Sequence, residues 1–306
     1  MTNRNCFPNQ QVIAWALLTV WTIALCSTQE TTGNDDKMPE VSIENGQKIA
    51  FLGDYATTEN HDGYPFQVIR GLEANGINAS LLLIAGAGSS DQMLAKLNQS
   101  VLVKQPDWLI INCGASAAWS QRSADQYQRD INQMVEKAQA AGTKVMLTTA
   151  NPAGEDPDTH YGRAIAAYNE RLRELAKEKK YRLADVDMAS AITAAGGGHD
   201  SHRGNVLTTD GVFLNTLGTQ IMTLDILKTL GLNPAQLQKA QDSWLDLTNF
   251  CSAKASLTIR QYMQLDALAA KQHRSAQELL GEMTAKALSA QSKDKPELPP
   301  NRNSTK

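Results

Sequence analysis

From residue 48 to residue 186 the chain repeats one unit: an apolar run of strand length, then a stretch of helical period. The runs are KIAFLG (Lys48–Gly53), ASLLLIAG (Ala79–Gly86), DWLIINCG (Asp107–Gly114), KVMLTTA (Lys144–Ala150) and YRLADV (Tyr181–Val186). Helical segments are expected over Tyr64–Asn75, Asp91–Val103, Ala124–Ala141 and Tyr161–Lys180, with Gly142 as a C-terminal stop. Strands this uniformly apolar are buried on both faces, and strands joined by crossover helices run parallel. The expected fold class is therefore α/β: a three-layer α/β/α sandwich around a five-stranded parallel sheet. In such sheets ligands bind beyond the carboxyl ends of the strands. The loops beginning at Gly53, Gly86, Gly114 and Ala150 are thus where a site belongs.

The two ends of the chain depart from this pattern. Arg4 precedes the apolar run Val12–Cys26, VIAWALLTVWTIALC, which is shorter than the ~20 residues of a spanning helix. A charged start, a short apolar stretch and small residues after it read as a secretory signal over residues 1–26. Ile-Ala-Leu-Cys resembles a bacterial lipoprotein box, with Leu25 standing where that box has a small residue. Plain export, lipid attachment at Cys26, and an uncleaved anchor or misplaced start all remain open, so the expected location is periplasmic, extracellular or tethered to the membrane. Residues 27–46 are polar and read as a tether. The α/β domain is expected over 47–232, with a last helix at Asn215–Leu230. A helical extension rich in Ala, Gln, Leu and Lys is expected over 233–290, and a disordered tail over 291–306. In that extension Leu257–Leu288 reads as one broken helix or two amphipathic ones, packing on the domain, on each other or on a partner.

Composition removes several classes of function. The net charge is -3 and aromatic residues make up 6%, so neither a basic surface nor a stacking platform for nucleic acid is present. Of Cys6, Cys26, Cys113 and Cys251 only the last two lie in the expected mature domain, without metal-ligand spacing. No cofactor or metal is expected, and contact with a membrane is expected only through the N-terminal signal or a lipid on Cys26.

Three blocks stand at strand ends or late in the domain: FLGDYATTE (Phe51–Glu59), NCGASAAW (Asn112–Trp119) and LTTDGVFLNTLG (Leu207–Gly218). In this order and at these spacings they resemble the SGNH, or GDSL-type, hydrolases over roughly Lys48–Leu230. That family carries Gly-Asp-Ser, then a lone glycine, then Gly-x-Asn-Asp, then Asp-x-x-His followed by Leu-Asn and a glycine. The resemblance implies a flavodoxin-like sheet and ester hydrolysis. It places the serine at Tyr55, the second-block glycine at Gly88 (or Gly86 if the register slips), the asparagine at Ser116, the aspartate at Asp210 and the histidine at Phe213.

Ester hydrolysis of this kind needs a hydroxyl nucleophile, an imidazole to take its proton, an acid to orient the imidazole, and donors for the oxyanion. A tyrosine hydroxyl has a pKa of ~10 and lies far from the serine's place, and phenylalanine moves no proton. Ser116 is too short for the reach of an asparagine amide, and Ala117 replaces the aspartate beside it. No residue is therefore assigned a catalytic role. The candidate pocket comprises Asp54, Tyr55, Gly86, Gly88, Ser116, Trp119 and Asp210, with the N–H groups of Tyr55 and Gly88 as remaining oxyanion donors. His61, His199 and His202 with Thr57, Thr58 or Ser89 offer a rebuilt hydroxyl–imidazole pair, against the plainer reading of solvated loop histidines. Asp54 and Asp210 are equally read as acceptors for backbone N–H groups. Tyr55 and Trp119 either receive a sugar ring or acyl chain, or fill the volume a substrate once used. The two expectations are a non-catalytic protein that binds a small ester or carbohydrate or serves as an interaction module of the cell envelope, and an esterase or carbohydrate deacetylase with relocated groups.

Overall fold

The computed structural model describes residues 41–55, 57–198, 205–245 and 257–293. They divide into two compact units, the first reaching residue 251 and the second running from residue 252.

In the first unit, β1 (Lys48–Gly53), β2 (Ser80–Ile84), β3 (Trp108–Asn112), β4 (Lys144–Thr148) and β5 (Arg182–Ala184) form one sheet in the order β2-β1-β3-β4-β5. Every pairing is parallel. Side chains alternate across a strand, so each strand feeds two cores. Ile49, Phe51, Ile110 and Met146 face one side. There they meet α1 (Tyr64–Ala74), α6 (Met188–Ala194), α7 (Thr216–Thr229) and α8 (Pro234–Leu245). Ala50, Leu52, Leu109, Ile111 and Leu147 face the other. Their partners are α2 (Ser90–Ser100), the short α3 (Ala115–Trp119), α4 (Ala124–Ala140) and α5 (His160–Lys179). On that side Tyr127 of α4 stacks on Tyr168 of α5 with ring centroids 4.3 Å apart. This is the three-layer α/β/α fold.

The chain leaves β1 for β2 on one flank and then returns to the other flank of β1 as β3. The strand order reverses there, the switch point at which sheets of this type have their ligand crevice. The loops at the carboxyl ends of β1 and β3 carry Asp54–Tyr55 and Gly114–Ser116.

Several expected boundaries move for local reasons. The helix expected through Val103 ends at Ser100; a 3-10 turn at Leu102–Lys104 and left-handed Gln105 then deliver the chain to β3. β3 stops at Asn112, short of Gly114, because Gly114 opens α3. α3 and α6, of 5 and 7 residues, are too short for their period to show in sequence. Residues 41–46, expected as the end of the tether, already belong to the fold: Ile43 is buried, and the Ser42 and Gly46 N–H groups donate to Leu230 O and Asn78 O. The boundary expected at 233 also moves. α8 packs on α1 and α7, burying Ala240 and Trp244 in the first core, so the α/β unit includes it.

The second unit holds α9 (Ile259–Lys271) and α10 (Ala276–Lys293), joined by a turn with left-handed His273. Thr258 caps α9: its Oγ1 accepts from the Gln261 N–H, and Gln261 Oε1 accepts from the Thr258 N–H. The signal at 1–26, most of the tether, the tail from residue 294, and His199 and His202 lie outside the described residues. Among the described residues no helix is long and apolar enough to cross a membrane.

Candidate functional site

Asp54 leaves β1 buried, and three loops converge on it. Its N–H donates to Asn112 O at 3.2 Å, and its carbonyl accepts from the N–H groups of Thr57 and Gly86. Its carboxylate oxygen Oδ2 accepts from the N–H of Gly114 at 3.0 Å and of Ser116 at 3.3 Å. Those are among the first N–H groups at the start of α3, so the carboxylate caps that short helix from a neighbouring strand. The carboxylate thus fixes the β3 loop, the role sequence reasoning left open for it. Gly114 permits the approach, since a Cβ there would lie 2.2 Å from Ala150 Cβ.

Tyr55 turns outward and is 52% exposed. Its ring centroid is 6.0 Å from that of Trp119, tilted by 41°, and Trp119 at the end of α3 is itself 39% exposed. The two rings form an aromatic pair beside the crevice. On the same short helix as Trp119, Ser116 is 4% exposed, and its Oγ, buried from solvent, has no hydrogen-bond partner among the described residues. A buried hydroxyl left unpaired costs ~1–3 kcal/mol. Gly88 has φ +94°, and a Cβ would lie 2.0 Å from Gln92 Oε1, so glycine is required there. Gly86 also has positive φ and bends the β2 loop back to Asp54.

The hydroxyls considered as nucleophiles are placed as follows. Thr57 is buried with its Oγ1 2.8 Å from the Tyr64 hydroxyl. Burial pushes that phenol far above its ordinary pKa; the Thr57 bond lowers it, and nearby Asp54 raises it further. Ser89 Oγ donates to Asp91 Oδ1, and its N–H donates to Gln92 Oε1 at the start of α2. Thr58 is half-buried by the Gly63 turn. His61 is exposed, with its ring 4.8 Å from Phe66. Among the described residues no histidine nitrogen bonds a hydroxyl or a carboxylate, and no three of His, Cys, Asp and Glu converge to hold a metal ion. Burial pushes the pKa of the Cys113 thiol up.

The last block explains its own length. Asp210 Oδ1 accepts from the N–H groups of Val212 and Phe213, each at 3.0 Å, closing an Asx turn. Asn215 caps α7 by accepting from the N–H groups of Leu217 and Gly218. Gly218 must lack a Cβ, which would lie 2.2 Å from Leu207 O. Phe213, 38% exposed, has no such structural duty on its side chain.

Sequence reasoning missed Glu155. It follows β4, is buried, and accepts four hydrogen bonds from Val206, Leu207 and Thr208. Oε2 takes the Val206 N–H at 2.7 Å. Oε1 takes the Leu207 N–H at 2.8 Å, and the Thr208 N–H and Oγ1 at 2.7 Å each. The Gly154 N–H adds a bond to Gly211 O at 2.7 Å. The only sequence signal was a pair of acids, Glu155 and Asp156, inside the Pro-containing loop Asn151–Pro157. Beside this loop, between α5 and α6, a cleft of about 470 Å³ is walled by small and apolar residues such as Ala153, Ile165 and Met188. It reaches Ala150 but does not include Tyr55, Ser116 or Trp119.

The model of the GDSL-like lipase/acylhydrolase family matches residues 46–221. The chain belongs to that family. Its SGNH-type sheet is shared with solved structures of low sequence identity. One is Axe2, an acetylxylan esterase from Geobacillus stearothermophilus: 17% identity, TM-score 0.53, 63% of this chain and 97% of that one. Another is LAE5, an α/β hydrolase from the metagenome of Lake Arreo, Spain: 16% identity, TM-score 0.54, 63% and 98%. A third is the acetyl xylan esterase AlAXEase: 22% identity, TM-score 0.52, 59% and 98%. At these identities the likeness speaks for the fold alone. No curated protein matches the chain. Within the GDSL family frame, then, Asp54, Gly114, Asp210, Asn215 and Gly218 all have structural work to do. Tyr55, Ser116, Ala117 and Phe213 are the positions at which the sequence reading expects departures from the family pattern.

Proposed function

We propose that this chain is an exported SGNH-fold protein that does not hydrolyse esters by the family route. In this reading it binds a small ester or carbohydrate at the crevice between β1 and β3. The observation that carries the reading is the half-exposed aromatic pair Tyr55–Trp119. Aromatic faces suit the C–H surface of a sugar ring. The carboxylates Asp54 and Asp210 are already spent on backbone N–H groups. The likeness to acetylxylan esterases makes acetylated xylo-oligosaccharides the first ligands to try.

Export rests on Arg4 and the Val12–Cys26 run, and is tested by cell fractionation with and without Cys26→Ala. Binding is tested by calorimetry with acetylated xylo-oligosaccharides. Trp119→Ala should weaken it about tenfold, ~1.4 kcal/mol. Hydrolysis is followed in parallel on 4-nitrophenyl acetate and acetylated xylan. Turnover above background that disappears in His199→Ala or His202→Ala would overturn the non-catalytic reading in favour of relocated catalytic groups.

A further inference from the structure

We propose that Arg122 is a positioning residue of the crevice: by anchoring the end of α3 it holds the Trp119 ring against Tyr55. Its effect on ligand affinity rests on the ligand reading above; its effect on the place of the ring does not.

Trp119 is the last residue of α3, and α3 cannot hold it in place unaided. A helix of 5 residues closes little more than one turn, so it has no stability of its own. Its start is fastened by the Asp54 carboxylate, which accepts from the Gly114 and Ser116 N–H groups. Its end closes as a Schellman motif: the Arg122 N–H donates to Ala117 O and the Gln121 N–H to Ala118 O, each at 3.0 Å. That motif needs a left-handed residue, usually glycine, and here Gln121 takes the place with φ 52°. A side chain strains that conformation, so the end of α3 keeps its shape only where the next residue is held.

Arg122 is held from three helices. Its Nη2 donates to Asp130 Oδ2 of α4 at 2.5 Å, and its Nη1 lies 3.7 Å from Asp91 Oδ2 of α2. Its carbonyl accepts from the Tyr168 hydroxyl of α5 at 2.6 Å. The Arg122 and Asp130 side chains are only 21% and 12% exposed, so solvent and salt screen the pair weakly. Asp130 Oδ2 also accepts from Ser90 Oγ at 2.6 Å, at the start of α2 and two residues after Gly88. One guanidinium thus joins the end of α3 to the loop that bears Gly88. Tyr168 stacks on Tyr127, whose hydroxyl donates to Cys113 O at 2.7 Å, immediately before Gly114. The chain is therefore gripped before and after the five residues of α3. The Trp119 ring is 39% exposed and meets Tyr55 across 6.0 Å, so its place follows the backbone that bears it. A lysine at 122 could reach one carboxylate but lacks the planar fork that spans two.

The test uses the full chain labelled with 5-fluorotryptophan, the Trp119 resonance being identified by its loss in Trp119→Phe. In Arg122→Ala that resonance should move toward the position of a solvated ring, while those of Trp108 and Trp244 in the first core stay in place. Binding of acetylated xylo-oligosaccharides should weaken about fivefold, and no further in a Trp119→Ala background, because both substitutions act through one ring. Arg122→Lys should move the resonance less, and it guards against an alanine variant that fails to fold. An unmoved Trp119 resonance in Arg122→Ala, or in Arg122→Lys where the alanine variant does not fold, overturns the proposal. So does a shift shared by Trp108 and Trp244, or a loss of affinity that adds in full to that of Trp119→Ala, since either marks general loosening. A wild type that binds none of these oligosaccharides ends the ligand reading instead, and the fluorine spectrum still decides whether Arg122 holds the ring.

Discussion

The resemblance to the SGNH pattern reads Tyr55 and Phe213 at the places of its nucleophile and its base, and both side chains are partly exposed. Around them the backbone apparatus is intact: Asp54 holds the β3 loop, Asp210 closes its turn, and Gly88 keeps its positive φ. On that reading the site differs from a hydrolytic one in exchangeable side chains. Tyr55→Ser with Ser116→Asn and Phe213→His should therefore raise acetyl-ester hydrolysis by on the order of 10²-fold or more over wild type, while any one of the three alone adds little, because triad members act as a unit. Initial rates on 4-nitrophenyl acetate check this, and an inert triple variant would show that the crevice geometry has also drifted. Asp54→Ala should cost about 2–4 kcal/mol in chemical denaturation, because it strips buried N–H groups of a charged acceptor. The identities at positions 55, 116 and 213 were legible in sequence. What Asp54 does was not, because its carboxylate's partners lie about 60 residues away.

Among the elements, the segment from Val206 to Gly218 is the one most tied down by others. It has almost no regular secondary structure before α7, so its order comes from Glu155, Asn215 and Gly154. Glu155→Ala should destabilise the domain by about 3–5 kcal/mol and speed amide exchange across 206–208 before the sheet is affected. On α7, burial pushes the Asp225 carboxyl above its ordinary range, with Lys228 lowering it and Asp185 raising it. The folded state then holds that proton more tightly than the unfolded one. Stability due to this group is lost as pH rises from the ordinary carboxylate range through the raised value. Asp225→Asn should accordingly raise the melting temperature at pH 7 and give no gain near pH 3.5. The sheet strands and long helices were readable because burial imposes a period on sequence. α3 and α6 were not, being two turns long or less.

In the whole molecule, the α/β unit extends past the point where its strand–helix alternation ends. α8 looks by composition like the helices that follow it, yet it seals the first core. Gly71 of α1 lets α7 and α8 come close, its absent Cβ lying 2.6 Å from Leu227 Cδ1 and 3.2 Å from the Trp244 ring. Trp244→Ala should cost about 3–5 kcal/mol. A chain ended at residue 251 should melt like the full chain's α/β unit, whereas one ended at residue 233 should melt well below it; equal melting temperatures would show that α8 adds nothing. By itself the amino-acid sequence determined the parallel α/β class and the family that the strand-end blocks resemble. Those properties are written in local periods and single residue identities. Only the tertiary structure decided that Asp54 and Glu155 serve the backbone, that Ser116 is buried and unpaired, and that α8 belongs with the sheet. Each of these depends on partners brought together from distant segments, and such contacts leave no period in the sequence.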